Sequence, residues 1–154
     1  MTLTQAGIGL GRVFDVVGVA AAHRFSMANA NAVSFIVEAS GASTITVQAS
    51  KTYTGSLVNW TTANGFGQPA VWYQNTANDG TAAWTKQTAS WSTATLTLAG
   101  TSGYMSVVTF YDTQFADGYK YIDISSNANT TYIVAVLHDL STQRTPANLA
   151  ILGA

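Results

Sequence analysis

Apolar and polar residues alternate along most of this chain, and Gly, Asn, Asp or Ser interrupts the alternation about every ten residues. The alternating positions are rich in β-branched and aromatic side chains, as residues 44–51 and 93–98 illustrate. Successive side chains of a β-strand point to opposite faces, so a period of two is typical of strands with one buried face. The pattern predicts an all-β domain and leaves little room for helices.

The predicted strands are residues 12–17, 33–38, 44–51, 71–74, 83–87, 93–98, 106–111, 119–124 and 132–138. The second and third are joined by the short turn at residues 40–43 and predict a hairpin. A second hairpin joins 71–74 to 83–87, through a loop that contains Asp79 and Gly80. The strand at 132–138 is nearly all apolar, which predicts a central position in its sheet.

A chain of 154 residues fits one domain. About eight short strands are best protected as two packed sheets or a closed barrel. We therefore expect a single-domain antiparallel β-sandwich or jelly-roll-like barrel at residues 12–140. Residues 1–11 have no periodicity and predict an extended N-terminal arm, and residues 141–154 predict an apolar C-terminal docking segment.

Only 8% of the residues are charged, against about a quarter in ordinary soluble domains. The exposed polar positions must then be filled by Thr, Ser, Asn and Gln, which suits a surface covered by neighbours in an assembly. A secreted or extracellular polar β-domain would have the same composition.

The net charge is −1 and the six Lys and Arg residues are scattered, which argues against direct nucleic-acid binding. The chain has no cysteine, which excludes disulfides and thiolate metal sites.

No stretch approaches the roughly 18 to 20 continuous apolar residues that cross a bilayer. The apolar run at residues 16–22 follows Asp15 and a glycine-rich start, so it indicates a strand rather than a signal peptide. We expect a chain that is made in the cytoplasm and does not contact a membrane.

Candidate catalytic residues are few. His23 and His138 are the only imidazole bases, with Asp15 and Asp139 as their nearest carboxylates along the chain. No nucleophile elbow, phosphate-binding glycine loop or paired-histidine motif occurs. We expect no enzymatic activity, no catalytic residue and no cofactor, with the histidines in structural hydrogen bonds.

Asp112, Asp117 and Asp123 are close enough in sequence to suggest hard oxygen ligands. Their spacing matches no calcium loop, so turn and strand-edge positions are the better interpretation. We expect no metal site.

Trp60, Trp72, Trp84 and Trp91 all fall in the middle third of the chain. An aromatic platform for sugar rings is one interpretation, and it leads to the alternative of an extracellular carbohydrate-binding β-sandwich. Placement of most of them in the core or at a subunit contact is the other, and we favour it.

Two stretches resemble the small virion proteins of tailed bacteriophages that are described as head decoration or minor head proteins. The first comprises residues 33–38 and 44–49 and is a Thr-rich strand pattern with Gln48. The second is the order Asp117-Gly118-Tyr119, a strand to Ile124, an apolar strand at 132–137 and then Arg144. Together they cover about half of the chain, and no functional residue is carried over from the resemblance.

The resemblance implies a virion structural protein on the capsid surface, a decoration subunit that cements the capsid lattice. Its partners would be the major capsid protein and copies of itself, which we expect as a cyclic homotrimer. A phage tail subunit is a further alternative. The residues predicted to contact partners lie in the two terminal segments: Thr2, Leu3, Thr4, Ile8, Leu10, Arg144, Leu149, Ile151 and Leu152.

Overall fold

The computed structural model describes residues 16–19, 23–77, 79, 81–98 and 100–140. Their strands are β1 (Val16–Val19), β2 (His23–Ser26), β3 (Ala30–Ala39), β4 (Ser43–Ser50), β5 (Val58–Asn59), β6 (Val71–Asn75), β7 (Thr85–Thr88), β8 (Trp91–Ser92), β9 (Thr95–Leu98), β10 (Tyr104–Tyr111), β11 (Tyr121–Ser126) and β12 (Thr130–Leu140). Two short 3-10 turns, Thr62–Asn64 and Asp112–Gln114, complete the regular structure of these residues.

The strands form two antiparallel sheets. Sheet 1 has the order β1-β12-β3-β10-β6-β7, and sheet 2 has the order β2-β11-β4-β9-β8. Strand β5 pairs with the end of β4, beyond the part of β4 that pairs with β9. The predicted all-β sandwich is therefore confirmed.

Four antiparallel pairs are nested along the chain: β1 with β12, β2 with β11, β3 with β10, and β4 with β9. Such nesting results when one long antiparallel ribbon folds over itself, and it places successive pairs alternately in sheet 1 and sheet 2. The order β1-β12-β3-β10 over β2-β11-β4-β9 is that of an eight-stranded jelly roll. The remaining strands, β5 to β8, all belong to the connection between β4 and β9. In that connection the β6–β7 hairpin widens sheet 1 beyond β10.

The core lies between the two sheets. The alternation in each strand sends one set of side chains inward, and the ring of Phe25 from sheet 2 packs edge-on against Phe35 from sheet 1, with centroids 5.6 Å apart. Phe35 also contacts Phe110 at 5.8 Å. The other fully buried apolar strand residues include Val33, Val37, Ile45, Val47, Leu96, Ile122, Ile124 and Ala135.

The hairpin predicted for residues 33–38 and 44–51 is wrong, although both strands exist. Strand β3 pairs with β10 and β12 in sheet 1, whereas β4 pairs with β11 and β9 in sheet 2. The turn at residues 40–42 thus carries the chain from one sheet to the other. Alternation identifies a strand with one buried face, but it does not identify the strand beside it.

The second predicted hairpin is confirmed, because β6 pairs with β7 from Val71 opposite Thr88 to Gln74 opposite Thr85. Strand β12 lies between β1 and β3, so its predicted interior position is also confirmed. Strand β2 was not predicted. Residues 12–15 of the first predicted strand, the arm at 1–11 and the segment at 141–154 lie outside the described residues.

Candidate interaction surface

The outer face of sheet 1 carries more apolar side chains than is usual for the outer face of a β-sandwich. Directly opposite residues on neighbouring strands form three rows across it. These rows are Tyr132, Glu38 and Met105; then Val134, Ile36, Val107, Tyr73 and Lys86; then Val136, Ser34 and Thr109. We call these residues the apolar face, because the middle row presents four apolar or aromatic side chains in succession.

Several side chains of this region are open to solvent. The exposed fractions of Tyr73, Tyr132 and Tyr111 are 46%, 39% and 49%, and Val71 on β6 is 36% exposed. An isolated exposed apolar residue is ordinary, but a contiguous apolar patch marks an interaction site in many proteins. Tyrosine is also enriched where proteins contact one another. The apolar face is therefore the candidate interaction surface.

Sheet 2 has an outer face of the opposite character. Arg24 and Asp123 lie opposite each other and form an ion pair of 3.6 Å, and Gln48 lies on the other side of Asp123. In the neighbouring row the hydroxyls of Thr46 and Thr95 are 3.2 Å apart. The low charge of the chain is thus accommodated by Thr, Ser and Gln on this side. The sandwich has one polar and one apolar outer face.

Both terminal segments join the sandwich at one end of sheet 1. Val16, the first residue of β1, pairs with Val136, and Leu140, the last residue of β12, pairs with Ala30. The first described strand and the last one are therefore neighbours that run in opposite directions. The predicted contact residues of both segments, Thr2 to Leu10 and Arg144 to Leu152, lie outside the described residues.

The histidine and aspartate candidates have structural surroundings where the structure describes them. His138 Nε2 lies 2.9 Å from Ser34 Oγ, which is itself 2.8 Å from Thr109 Oγ1. Asp123 pairs with Arg24, and Asp112 begins a 3-10 turn. No cluster of three or more potential metal ligands occurs among the described residues. Within that same part of the chain, no helix is long and apolar enough to span a membrane.

The four tryptophans do not form a common surface. Trp60 and Trp72 are buried, with exposed fractions of 0% and 3%, and the indole N–H of the half-buried Trp91 donates to the carbonyl of Pro69 at 2.8 Å. Trp84, just before β7, is 48% exposed. A sugar platform built from Trp60, Trp72 and Trp84 is therefore excluded, and the preferred interpretation of mostly core positions is confirmed.

Tyr132, at the edge of the apolar face, gives the face a pH response. Burial and the neighbouring Glu38 carboxylate, which accepts a hydrogen bond from the phenol, raise the pKa of Tyr132 above its usual value. A raised pKa in the folded state favours the protonated phenol. Its contribution to the free energy of unfolding is complete below about pH 10 and is lost as the pH rises through the folded pKa.

Replacing Tyr132 with Phe is expected to reduce the alkaline loss of stability, because the variant has no phenol to ionise at that position. Urea unfolding at a series of pH values between about 8 and 12 measures this. Tyr111→Phe is the control, because it also removes a tyrosine hydroxyl but leaves the Tyr132–Glu38 pair in place. An unchanged loss in Tyr132→Phe would contradict the assignment.

The apolar face was missed at the level of sequence, although a signal for it existed. Tyr132, Val134 and Val136 alternate with Ile133 and Ala135, so both faces of β12 are apolar. From the sequence, that pattern predicts a central position of the strand in its sheet and does not indicate an exposed apolar face. Comparison of the chain with family models, with curated proteins and with solved structures gives no significant match.

Proposed function

We propose that this chain is a non-enzymatic virion structural protein of a tailed phage, a decoration subunit that binds the capsid lattice and cements it. The observation that supports this most is the apolar face on a sandwich whose charge is otherwise very low. Contact of such a surface with water is unfavourable, and covering it with another protein surface lowers the free energy of the system. Jelly rolls occur in viral capsid proteins, although a fold alone does not establish a function.

Cementing would work by repetition. Each bound copy adds a modest interface at every equivalent site of the lattice, and the many interfaces together resist expansion of the shell. In this proposal the apolar face serves contacts between copies, while the arm reaches the capsid protein. Among the described residues, β1 is an edge strand of sheet 1, and the predicted arm at residues 1–11 precedes it in the chain. An arm that is extended, as the sequence predicts, would be suited to strand addition across subunits.

Deleting residues 2–11 is expected to abolish binding to the capsid while leaving the sandwich folded, because the deleted residues all precede β1. The measurement is co-sedimentation with shells assembled from the major capsid protein encoded beside this chain. Full-length chain should sediment with the shells and the deleted chain should remain in the supernatant.

Circular dichroism and thermal unfolding of the deleted chain are the control for folding. Retained binding by a folded deleted chain would overturn the role of the arm. The absence of binding by the full-length chain, or of any capsid gene beside it, would overturn the decoration function itself.

The carbohydrate-binding alternative now has weaker support. With Trp60 and Trp72 in the core, its remaining exposed aromatic side chains near one another in the sequence are Tyr73 and Trp84, on the β6–β7 hairpin and its loop. A glycan array would show saccharide binding that depends on Trp84 if this alternative were correct, and a decoration subunit should show none.

A further inference from the structure

We propose that the apolar face packs against the same face of a second copy of this chain, with a two-fold axis parallel to the strands. This inference rests on the proposed function in one respect, that copies of the chain are among each other's partners. It replaces the cyclic trimer expected from the sequence with a dimer. It also moves the contact between copies from the terminal segments to sheet 1.

The continuity and chemistry of the face favour packing against a second copy of the same sheet. Ile36, Val107 and Tyr73 lie opposite one another on β3, β10 and β6, so the patch is continuous across neighbouring strands. Two β-sheets can pack face to face at about 10 Å when their facing side chains are apolar. A second copy of the sheet supplies such an apolar surface.

The positions of two charged residues favour the same arrangement. Glu38 lies on β3 and Lys86 lies on β7, and β10 and β6 separate the two strands. A two-fold axis between β10 and β6 places β3 of one copy over β7 of the other, and therefore brings Glu38 near Lys86 of the second copy. Their rows differ by two residues, or about 7 Å along the strand, which a lysine side chain can span.

An interface with two-fold symmetry must be complementary to itself, since the same patch occurs on both sides. Opposite charges on opposite halves of an apolar patch meet that requirement. The net charge of −1 also means that two copies repel each other only weakly. Strand β12 ends at Leu140, at the opposite end of the sheet from the row that contains Glu38.

The first test is the mass of the purified chain by sedimentation velocity over a range of concentrations. The wild type should form a dimer, and Val107→Glu should weaken the dimer at least about 100-fold, because it would bury an unpaired charge at the centre of the interface. Thr46→Glu is the matched control, also half-buried in a strand but on the polar face of sheet 2. It should dimerise like the wild type.

The second test uses the absence of cysteine from the chain. A Val107→Cys variant should be joined into covalent dimers by a short bis-maleimide that spans about the 10 Å between packed sheets. A Thr46→Cys variant should not be joined at the same protein concentration. This test does not require a destabilising substitution, so it stays informative if Val107→Glu fails to fold.

A monomeric wild type would overturn the inference, and so would a trimer, because a three-fold interface joins two different surfaces. A chain that lacks residues 141–154 and dimerises only after that truncation would show that its own C-terminal segment covers the face. Shell binding is measured separately. A dimer that does not bind capsid shells refutes the decoration function alone, and a shell-binding monomer refutes the inference alone.

Discussion

Replacing Trp60 with Ala should lower the free energy of unfolding by about 3–5 kcal/mol, the range found for large aromatic truncations in cores. Trp60 is fully buried and its ring stacks on Phe66 with centroids 4.7 Å apart. The rings of Phe110 and Phe115 pack against it in T-shaped arrangements, with centroid distances of 5.3 and 4.7 Å. Its indole N–H donates to the carbonyl of Gly67 at 3.0 Å, so truncation removes a hydrogen bond as well as the packing.

The measurement is equilibrium unfolding in urea followed by circular dichroism. Trp84→Ala is the matched control, because Trp84 is 48% exposed and its truncation should change the free energy of unfolding by less than about 0.5 kcal/mol. Trp60→Phe should fall between the two, since it keeps an aromatic ring but leaves the Gly67 carbonyl without its donor. Equal losses in Trp60→Ala and Trp84→Ala would refute the placement of Trp60 at the centre of the aromatic cluster.

The aromatic cluster around Trp60 attaches the long connection between β4 and β9, residues 51–94, to the sandwich. Trp60 and Phe66 belong to the connection, whereas Phe110 lies in β10 of the jelly roll. The sequence indicated a loop here, because the alternation fails between residues 52 and 69. It contained no periodicity to show that the loop's aromatic side chains complete the core.

The alternation of apolar and polar residues predicted most strands correctly, because it depends only on which face of each strand is buried. It failed for the partner of β3, which pairs with β12 about a hundred residues further along the chain. In a jelly roll the nested pairs are set by how the whole ribbon folds, so the short turn at residues 40–42 joins different sheets. No feature within the two strands distinguishes that arrangement from a hairpin.

The candidate surface was predictable only in part. The low charge indicated a surface that neighbours cover, but it did not indicate which surface. Val107 and Ile36 look like ordinary core residues in sequence, and only the register of β3, β6 and β10 brings them together on an outer face. Nor does the sequence indicate that a single arginine connects β2 to β11 and to the loop at residues 52–55.

That arginine is Arg24 on β2, and replacing it with Met is expected to cost about 2–3 kcal/mol of unfolding free energy. Its Nη1 donates to the carbonyls of Thr52 and Gly55 at 3.3 and 3.0 Å, and also to the carbonyl of Tyr53. Its Nε lies 3.6 Å from the carboxylate of Asp123, and the two side chains are 15% and 11% exposed. Methionine keeps much of the apolar stem but leaves the carboxylate and the carbonyls without this cation.

The substitution should also loosen the loop that follows β4, because the three carbonyls belong to that loop. The loss of stability is then local as well as global. Trypsin should cleave after the exposed Lys51 faster in Arg24→Met than in the wild type, under conditions where both remain folded.

Arg24→Lys should restore only part of the stability, since an ammonium lacks the planar fork of donors. In a double-mutant cycle, Arg24→Met should cost less when Asp123 is already Asn, because the neutral amide does not form the ion pair with Arg24. If the two substitutions were additive and cleavage after Lys51 were unchanged, Arg24 would not hold this loop to the sheet.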